Sequence, residues 1–351
     1  MKCVISLKNI EGGGTRNSCF ELLRLLCIFG IVYMHTYGIF YETASGDLLI
    51  HGVIINSVFN MGVSLFMLIS GYFGVKQSGK KMFFLWSETF FYSILGVVVT
   101  YILKQESIGL RGIIEAVMPF SSKRYWYITA YLILMSFASY INRVPDKLSK
   151  EEFQGLIKIM FILFSLLPTV TFIHVMGDRG KGPVNMLMMY FIGRYIRMHV
   201  PEQTMPRKRI LLFFLMIFIS EIGLNIFCSF IKNKGMGLYC PYAQDYTVFI
   251  VAGSILIFLL FKYSKMNSKT INMISKHVLG IYLTESMVRE VFGYIGVGVE
   301  SFREQWFLFG IIAVHAVAIM MICILIDIIR EHTVERFLAW VYNKISNRFH
   351  G

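Results

Sequence analysis

The chain has 351 residues, 56% hydrophobic and only 16% charged, where roughly a quarter charged is usual in soluble proteins. Its formal charge of +13 is divided among short Lys/Arg clusters between apolar blocks, with no nucleic-acid-binding module beside them. A pair of soluble domains and a nucleic-acid-binding protein are thereby excluded, leaving an all-α polytopic membrane protein.

In chain order the apolar blocks predict spans at 20–40, 49–73, 83–103, 125–143, 156–176, 184–198, 210–231, 246–263, 275–295 and 305–329. That makes a bundle of about ten transmembrane helices, most of them long enough for a ~30 Å hydrocarbon core. The first run is too long for a signal peptide and no A-x-A site follows it, so it reads as a retained helix. Pro168 is expected to kink the fifth span. The sixth span is short, and the ninth is the least apolar and expected to be shielded by its neighbours. After Arg330, Val334, Phe337, Leu338, Val341, Tyr342, Ile345 and Phe349 recur at helical spacing, with Arg336, Lys344 and Arg348 elsewhere on the wheel. A basic amphipathic helix on the inner membrane surface is expected there. The reading is a cytoplasmic segment 1–19, a transmembrane domain 20–329 and a tail 330–351.

Alternate connections carry most of the Lys and Arg, including Lys2, Lys8 and Arg16, Lys76, Lys80 and Lys81, and Arg207, Lys208 and Arg209. The positive-inside rule puts this set, and both termini, in the cytoplasm. The six cysteines (Cys3, Cys19, Cys27, Cys228, Cys240 and Cys323) show neither a disulfide framework nor metal spacing and read as small buried thiols, with a meeting of Cys228 and Cys240 near the outer face as the alternative.

Polar groups inside a span are functional candidates. The first span holds Glu21, Arg24 and His35. Eleven residues are close to three turns, so Arg24 and His35 share a face about 16 Å apart along the axis, with Glu21 near it. A permanent cation lies toward the inner end and a neutral-pH base toward the outer. Snorkelling of Arg24 to lipid phosphates and a packing hydrogen bond from His35 stand as the plainer alternatives. Glu88 and Glu221 also fall inside spans, as packing partners or cavity residues. The chain contains no H-E-x-x-H, C-x-x-C, G-x-S-x-G or P-loop pattern, so no metal is expected.

The stretch FELLRLLCIFGIVYMHTYG, with Arg24 and His35 separated by ten residues, resembles the first helix of the acyltransferase-3 family of bacterial membrane O-acyltransferases. NMGVSLFMLISGYFGVK resembles the family's second helix, ending in a Ser-Gly-aromatic element at Ser70, Gly71 and Tyr72. SKRYWYITAYLILM resembles the aromatic start of the fourth at Trp126 and Tyr127, while FIGRYIR and SKHVLGIYLTE resemble two later helices. Three features depart from the pattern. Lys76, Lys80 and Lys81 stand where relatives often carry an Arg-rich element, Glu285 stands where many carry a His, and no esterase-like domain follows.

The resemblance implies transfer of an acyl group, most often acetyl, from acetyl-CoA or another acyl-CoA as donor substrate, with no bound cofactor. The acceptor it implies is a hydroxyl of a surface glycan, such as capsular or exopolysaccharide or a lipid-linked oligosaccharide, at the bacterial cytoplasmic membrane. On that basis Arg24 with Lys76, Lys80 and Lys81 would hold the CoA phosphates, and His35 would be general base or acyl carrier. Ser70 or Tyr72 would stabilise the oxyanion, and Trp126, Tyr127, Glu285 and Arg289 would face the acceptor. Glu285 and Arg289, spaced i,i+4, read equally as an internal ion pair. A polysaccharide transporter or flippase, or an inactive assembly or sensor subunit, are the readings from other classes.

Overall fold

The structure, a computed structural model, describes residues 17–104, 109–120, 125–173, 176–201 and 205–349. Lys2, Cys3, Lys8, Arg16 and the Ser122–Arg124 part of the fourth-helix element lie outside them. The described residues form helices and turns with no strand. The helices are α1 (Ser18–Tyr37), α2 (Gly46–Phe59), α3 (Met61–Phe73), α4 (Gly79–Lys104), α5 (Leu110–Val117), α6 (Trp126–Ser136), α7 (Ala138–Ile141) and α8 (Arg143–Lys147). They continue as α9 (Lys150–Phe161), α10 (Leu167–Thr171), α11 (Pro183–His199), α12 (Arg207–Asn233), α13 (Val248–Lys262), α14 (Lys269–Ile274), α15 (Val278–Tyr294) and α16 (Leu308–Phe349).

Six helical stretches among the described residues are long and apolar enough to cross a membrane: Ser18–Phe40, Gly46–Phe73, Gly79–Lys104, Lys150–Thr171, Arg207–Lys232 and Leu308–Tyr342. Trp126–Ser136 and Val248–Lys262 are apolar but shorter. α11 and α15, at 17 residues each, reach only about 25 Å. The expected second span is present as Gly46–Phe73, with a one-residue turn between α2 and α3 at Asn60, whose amide donates to Ala243 O at 2.6 Å. In the fifth, α9 starts on a capping box in which Ser149 and Glu152 bond reciprocally. It then passes through a π turn, Ile162–Leu166, into α10. Pro168 has no N–H and its ring crowds the carbonyl four residues back, and the wider turn just before it relieves that clash.

The chain folds as two compact units, one of residues 17–75 and 136–272, the other containing 76–135 and 273–351. In the larger, α3 packs against α1, α11 and α13. The closest approach is between α3 and α11. A Cβ on Gly71 would enter the Tyr190 carbonyl, and one on Gly193 would enter that of Leu68. Small residues let two backbones approach where a larger side chain would hold them apart. Gly71 of the Ser-Gly-aromatic element and Gly193 of FIGRYIR are thus the two sides of one helix crossing. A hydrogen-bonded ring closes its end: Tyr190 Oη donates to Asn142 Oδ1 (2.5 Å) and accepts from Val75 N (3.0 Å), while Asn142 Nδ2 donates to Val75 O (2.8 Å).

α12 shows its polarity inside out. Leu211, Leu212, Phe213, Leu215, Met216, Ile219, Phe227 and Phe230 are exposed, whereas Glu221, Asn225 and Ser229 are fully buried. Apolar outside and polar inside is the arrangement that suits lipid as solvent.

In the smaller unit α15 packs against α16 and α4. α16 turns one stripe inward, Leu308, Ile312, Ala316, Ile319, Cys323, Asp327 and Arg330, at spacings of three and four. The tail is helical as expected, and it continues the last span without a break to Phe349.

Candidate active site

α1 begins with Asn17 accepting from Cys19 N at 3.0 Å, which places Glu21 in the first turn, where the helix dipole favours an acid. Glu21 is buried, and its Oε1 accepts from Arg24 Nη1 at 2.6 Å. The guanidinium supplies an opposite charge beside the buried carboxyl. Arg24 keeps a side-chain exposure of 24%. α1 is unbroken to Tyr37, so His35 follows three turns later, exposed on the helix surface.

The end of this unit that carries Arg24 is cationic and aromatic. Phe20, one turn before Arg24, packs on Tyr72 and Phe258 with centroids 5.5 and 5.1 Å away. Arg197 lies over the Tyr72 ring at 5.1 Å and donates to its hydroxyl at 3.2 Å. Arg194, on the preceding turn of α11, is 3.9 Å from Asp146. Ser70 donates its hydroxyl to Phe66 O at 2.9 Å. Behind α1, on the side away from His35, Tyr33 Oη and His51 Nε2 are 2.8 Å apart. His51 escaped the sequence reading because nothing in its neighbourhood in the chain announces Tyr33.

The remaining predicted residues belong to the smaller unit. Lys76 is exposed, Lys80 and Lys81 are half-exposed, and the Lys80 ammonium lies 5.7 Å over the Tyr342 ring. Trp126 and Tyr127 meet edge to face at 6.2 Å, and Tyr127 also meets Tyr131 and Tyr282. Glu285, one turn beyond Tyr282, pairs with Arg289 at 3.3 Å.

A buried charge network in this unit went unforeseen. Asp327 Oδ1 accepts from Tyr92 Oη (2.8 Å) and Arg330 Nε (3.0 Å), and Asp327 Oδ2 is 2.7 Å from His277 Nδ1. Glu88 and Glu335 approach the same guanidinium at 3.5 and 3.7 Å. Gly280 makes room for the Asp327 carboxyl, which a Cβ would strike. The available signal was an Asp and an Arg three residues apart at the end of an apolar block. His277, Asp327 and Glu331 bring ligand atoms within 4.8 Å of one another, a spacing that could hold a metal ion. Arg330 already supplies positive charge to Asp327 at that point.

Outside the spans, Asp245 is buried between α12 and α13, and burial holds its carboxyl up at about 7, with Lys181 opposing and Asp178 adding to the shift.

No curated protein and no solved structure matches this chain. The acyltransferase-domain family known as acyltransferase-3 matches residues 17–326, from the cap of α1 to the residue before Asp327. With most of its length so matched and six helices able to cross a bilayer, the chain is a multi-pass membrane protein of the acyltransferase-3 family.

Proposed function

We propose that this membrane acyltransferase moves acetyl from acetyl-CoA to a hydroxyl of a cell-surface glycan, a capsular or exopolysaccharide or its lipid-linked precursor, at the cytoplasmic membrane of a bacterium. Both termini face the cytoplasm, and the shorter helices bring the spans to about ten. The observation that carries this reading is α1 itself. One unbroken helix bears the Glu21–Arg24 pair at an end where Arg194 and Arg197 gather, and an exposed imidazole three turns along.

Arginine is suited to the phosphates of CoA because its planar fork binds oxygens two at a time. Glu21 holds part of the Arg24 guanidinium and orients the rest. An extended pantetheine arm laid along α1 brings the thioester to the level of His35. Neutral His35 then takes the proton of the acceptor hydroxyl as its oxygen attacks the thioester carbonyl. The C–S bond breaks, and the CoA thiolate leaves as a thiol with that proton. Attack by His35 itself, through an acyl-imidazole, gives the same products. Ser70 is less suited to the oxyanion, since its hydroxyl already donates to Phe66 O, whereas the Tyr72 hydroxyl accepts from Arg197 and keeps its own O–H to donate.

The test is transfer of labelled acetyl from acetyl-CoA to the host's surface glycan in isolated membranes. His35→Ala is expected to lower the rate by at least ~100-fold without loss of folded protein, since general-base catalysis contributes about 10²–10⁴. Arg24→Ala also removes the ion-pair partner 2.6 Å from buried Glu21, so Glu21→Gln/Arg24→Ala is compared with it; in the double variant the expected loss is chiefly a raised KM for acetyl-CoA. Unchanged transfer in His35→Ala would sink the scheme. No transfer even by wild type, with acceptor confirmed, would favour transport.

A further inference from the structure

The segment between α12 and α13 is fastened to the larger unit residue by residue. Gly237 N donates to Ala44 O at 2.8 Å and Leu238 N to Tyr41 O at 2.7 Å. Ser229 Oγ donates to Tyr239 O (2.8 Å) and accepts from Tyr239 N (3.3 Å). Tyr242 N donates to Asn225 Oδ1 at 2.9 Å, and Asn60 reaches Ala243 O. The segment is a strap, held by polar side chains of α12 and of the α2–α3 joint.

Two cysteines lie inside this fastening. On α12, Asn225, Cys228 and Ser229 are three and four residues apart and share one face. On the strap, Tyr239 and Tyr242 flank Cys240. Asn225 and Ser229 are bonded to Tyr242 and Tyr239 respectively. The helix turn that carries Cys228 therefore has the strap residue Cys240 held against it from both sides. Cys228 and Cys240 are half-exposed thiols, unlike the buried Cys19, Cys27 and Cys323. The reading as buried thiols fails at these two positions and the alternative, a meeting of the pair, stands, because the strap is a surface element and α12 meets it at its last turns.

We propose that Cys228 and Cys240 form a disulfide that locks the strap to α12. Disulfides require Cα atoms within about 7 Å, and the bonds on either side bring the two backbones into that neighbourhood. The oxidant is a disulfide-bearing carrier of the extracytoplasmic space, where such bonds persist. One cysteine thiolate attacks the carrier disulfide to give a mixed disulfide, and the second displaces the carrier's remaining sulfur. Two protein thiols lose two protons and two electrons, and the carrier leaves as a dithiol. The placement of the strap outside rests on the orientation given under the proposed function; the juxtaposition of the cysteines does not.

Cells are quenched with N-ethylmaleimide, the membranes denatured in fresh N-ethylmaleimide so that buried thiols are blocked as well, and, after removal of the reagent and reduction, newly released thiols are labelled with a maleimide-polyethylene glycol that retards the protein on a gel. Wild type is expected to gain two tags and Cys323→Ser also two, while Cys228→Ser and Cys240→Ser each gain none. Absence of tags in wild type overturns the native disulfide. A parallel sample of unquenched membranes treated with copper phenanthroline, which couples adjacent thiols with dioxygen as oxidant and adds no thiol of its own, then separates the causes. Tags formed only there mean that the strap faces a reducing compartment and refute the orientation, leaving the acyl-transfer reading to its own assay. No tags there either mean that the thiols do not meet.

Discussion

Single residues decide where this protein tolerates charge. Arg330 compensates Asp327 and Glu88 at a position with almost no exposure. Removing one partner of a buried pair leaves an uncompensated charge, which commonly costs about 3–5 kcal/mol. Arg330→Leu is expected to lose about that much, read as a lowered melting temperature in detergent, with Arg330→Lys losing less because it retains the charge but not the fork. Asp245 behaves in the opposite sense. With its folded carboxyl held at about 7, the buried acid stays protonated where the unfolded chain has already ionised. Its contribution is fully present below about pH 4, is lost as pH rises toward 7, and is gone above that. Near 1.4 kcal/mol per pKa unit, the swing is about 4 kcal/mol. Asp245→Asn cannot ionise, so its melting temperature should vary less than wild type's between pH 5 and 8; identical profiles would refute the assignment.

At the scale of elements, the α3–α11 crossing explains why Ser-Gly-aromatic and FIGRYIR belong together. Gly71→Val would drive a side chain into the Tyr190 backbone, which cannot rotate away. Overpacking of this kind costs about 1–3 kcal/mol or more, so a marked fall in folded yield is expected. Gly155 has open space around it, and Gly155→Ala should be neutral or slightly stabilising in the same assay. The apolar blocks were legible because lipid demands long uninterrupted runs, and α1 was legible because Glu21, Arg24 and His35 lie on one continuous helix. The π turn before Pro168 announced itself only as an irregularity. The turn at Asn60 within the second span had no Gly or Pro at its place to mark it; its evident tie is a bond to Ala243, 183 residues away. The Asp327 network was hidden for the same reason, since Tyr92 is 235 residues from its partner. Sequence periodicity reports which face is apolar, not which distant polar group will meet it.

At the scale of the whole molecule, the chain divides into two units that interleave in sequence, each closing on a return of the chain from far downstream. The family match runs through both, so neither unit alone corresponds to the acyltransferase domain. The inverted polarity of α12 bears on how such a chain is made. Glu221 lies in the middle of α12, fully buried, and faces the hydroxyl of Ser57 on α2. An isolated α12 leaving the insertion machinery would present that acid to hydrocarbon, a step that disfavours release into lipid. α2 is synthesised more than a hundred residues earlier and is already in the bilayer when α12 emerges. The order of translation thus supplies the polar shelter before the segment that needs it, and a chain with α2 deleted should leave α12 stalled at the ribosome-bound stage.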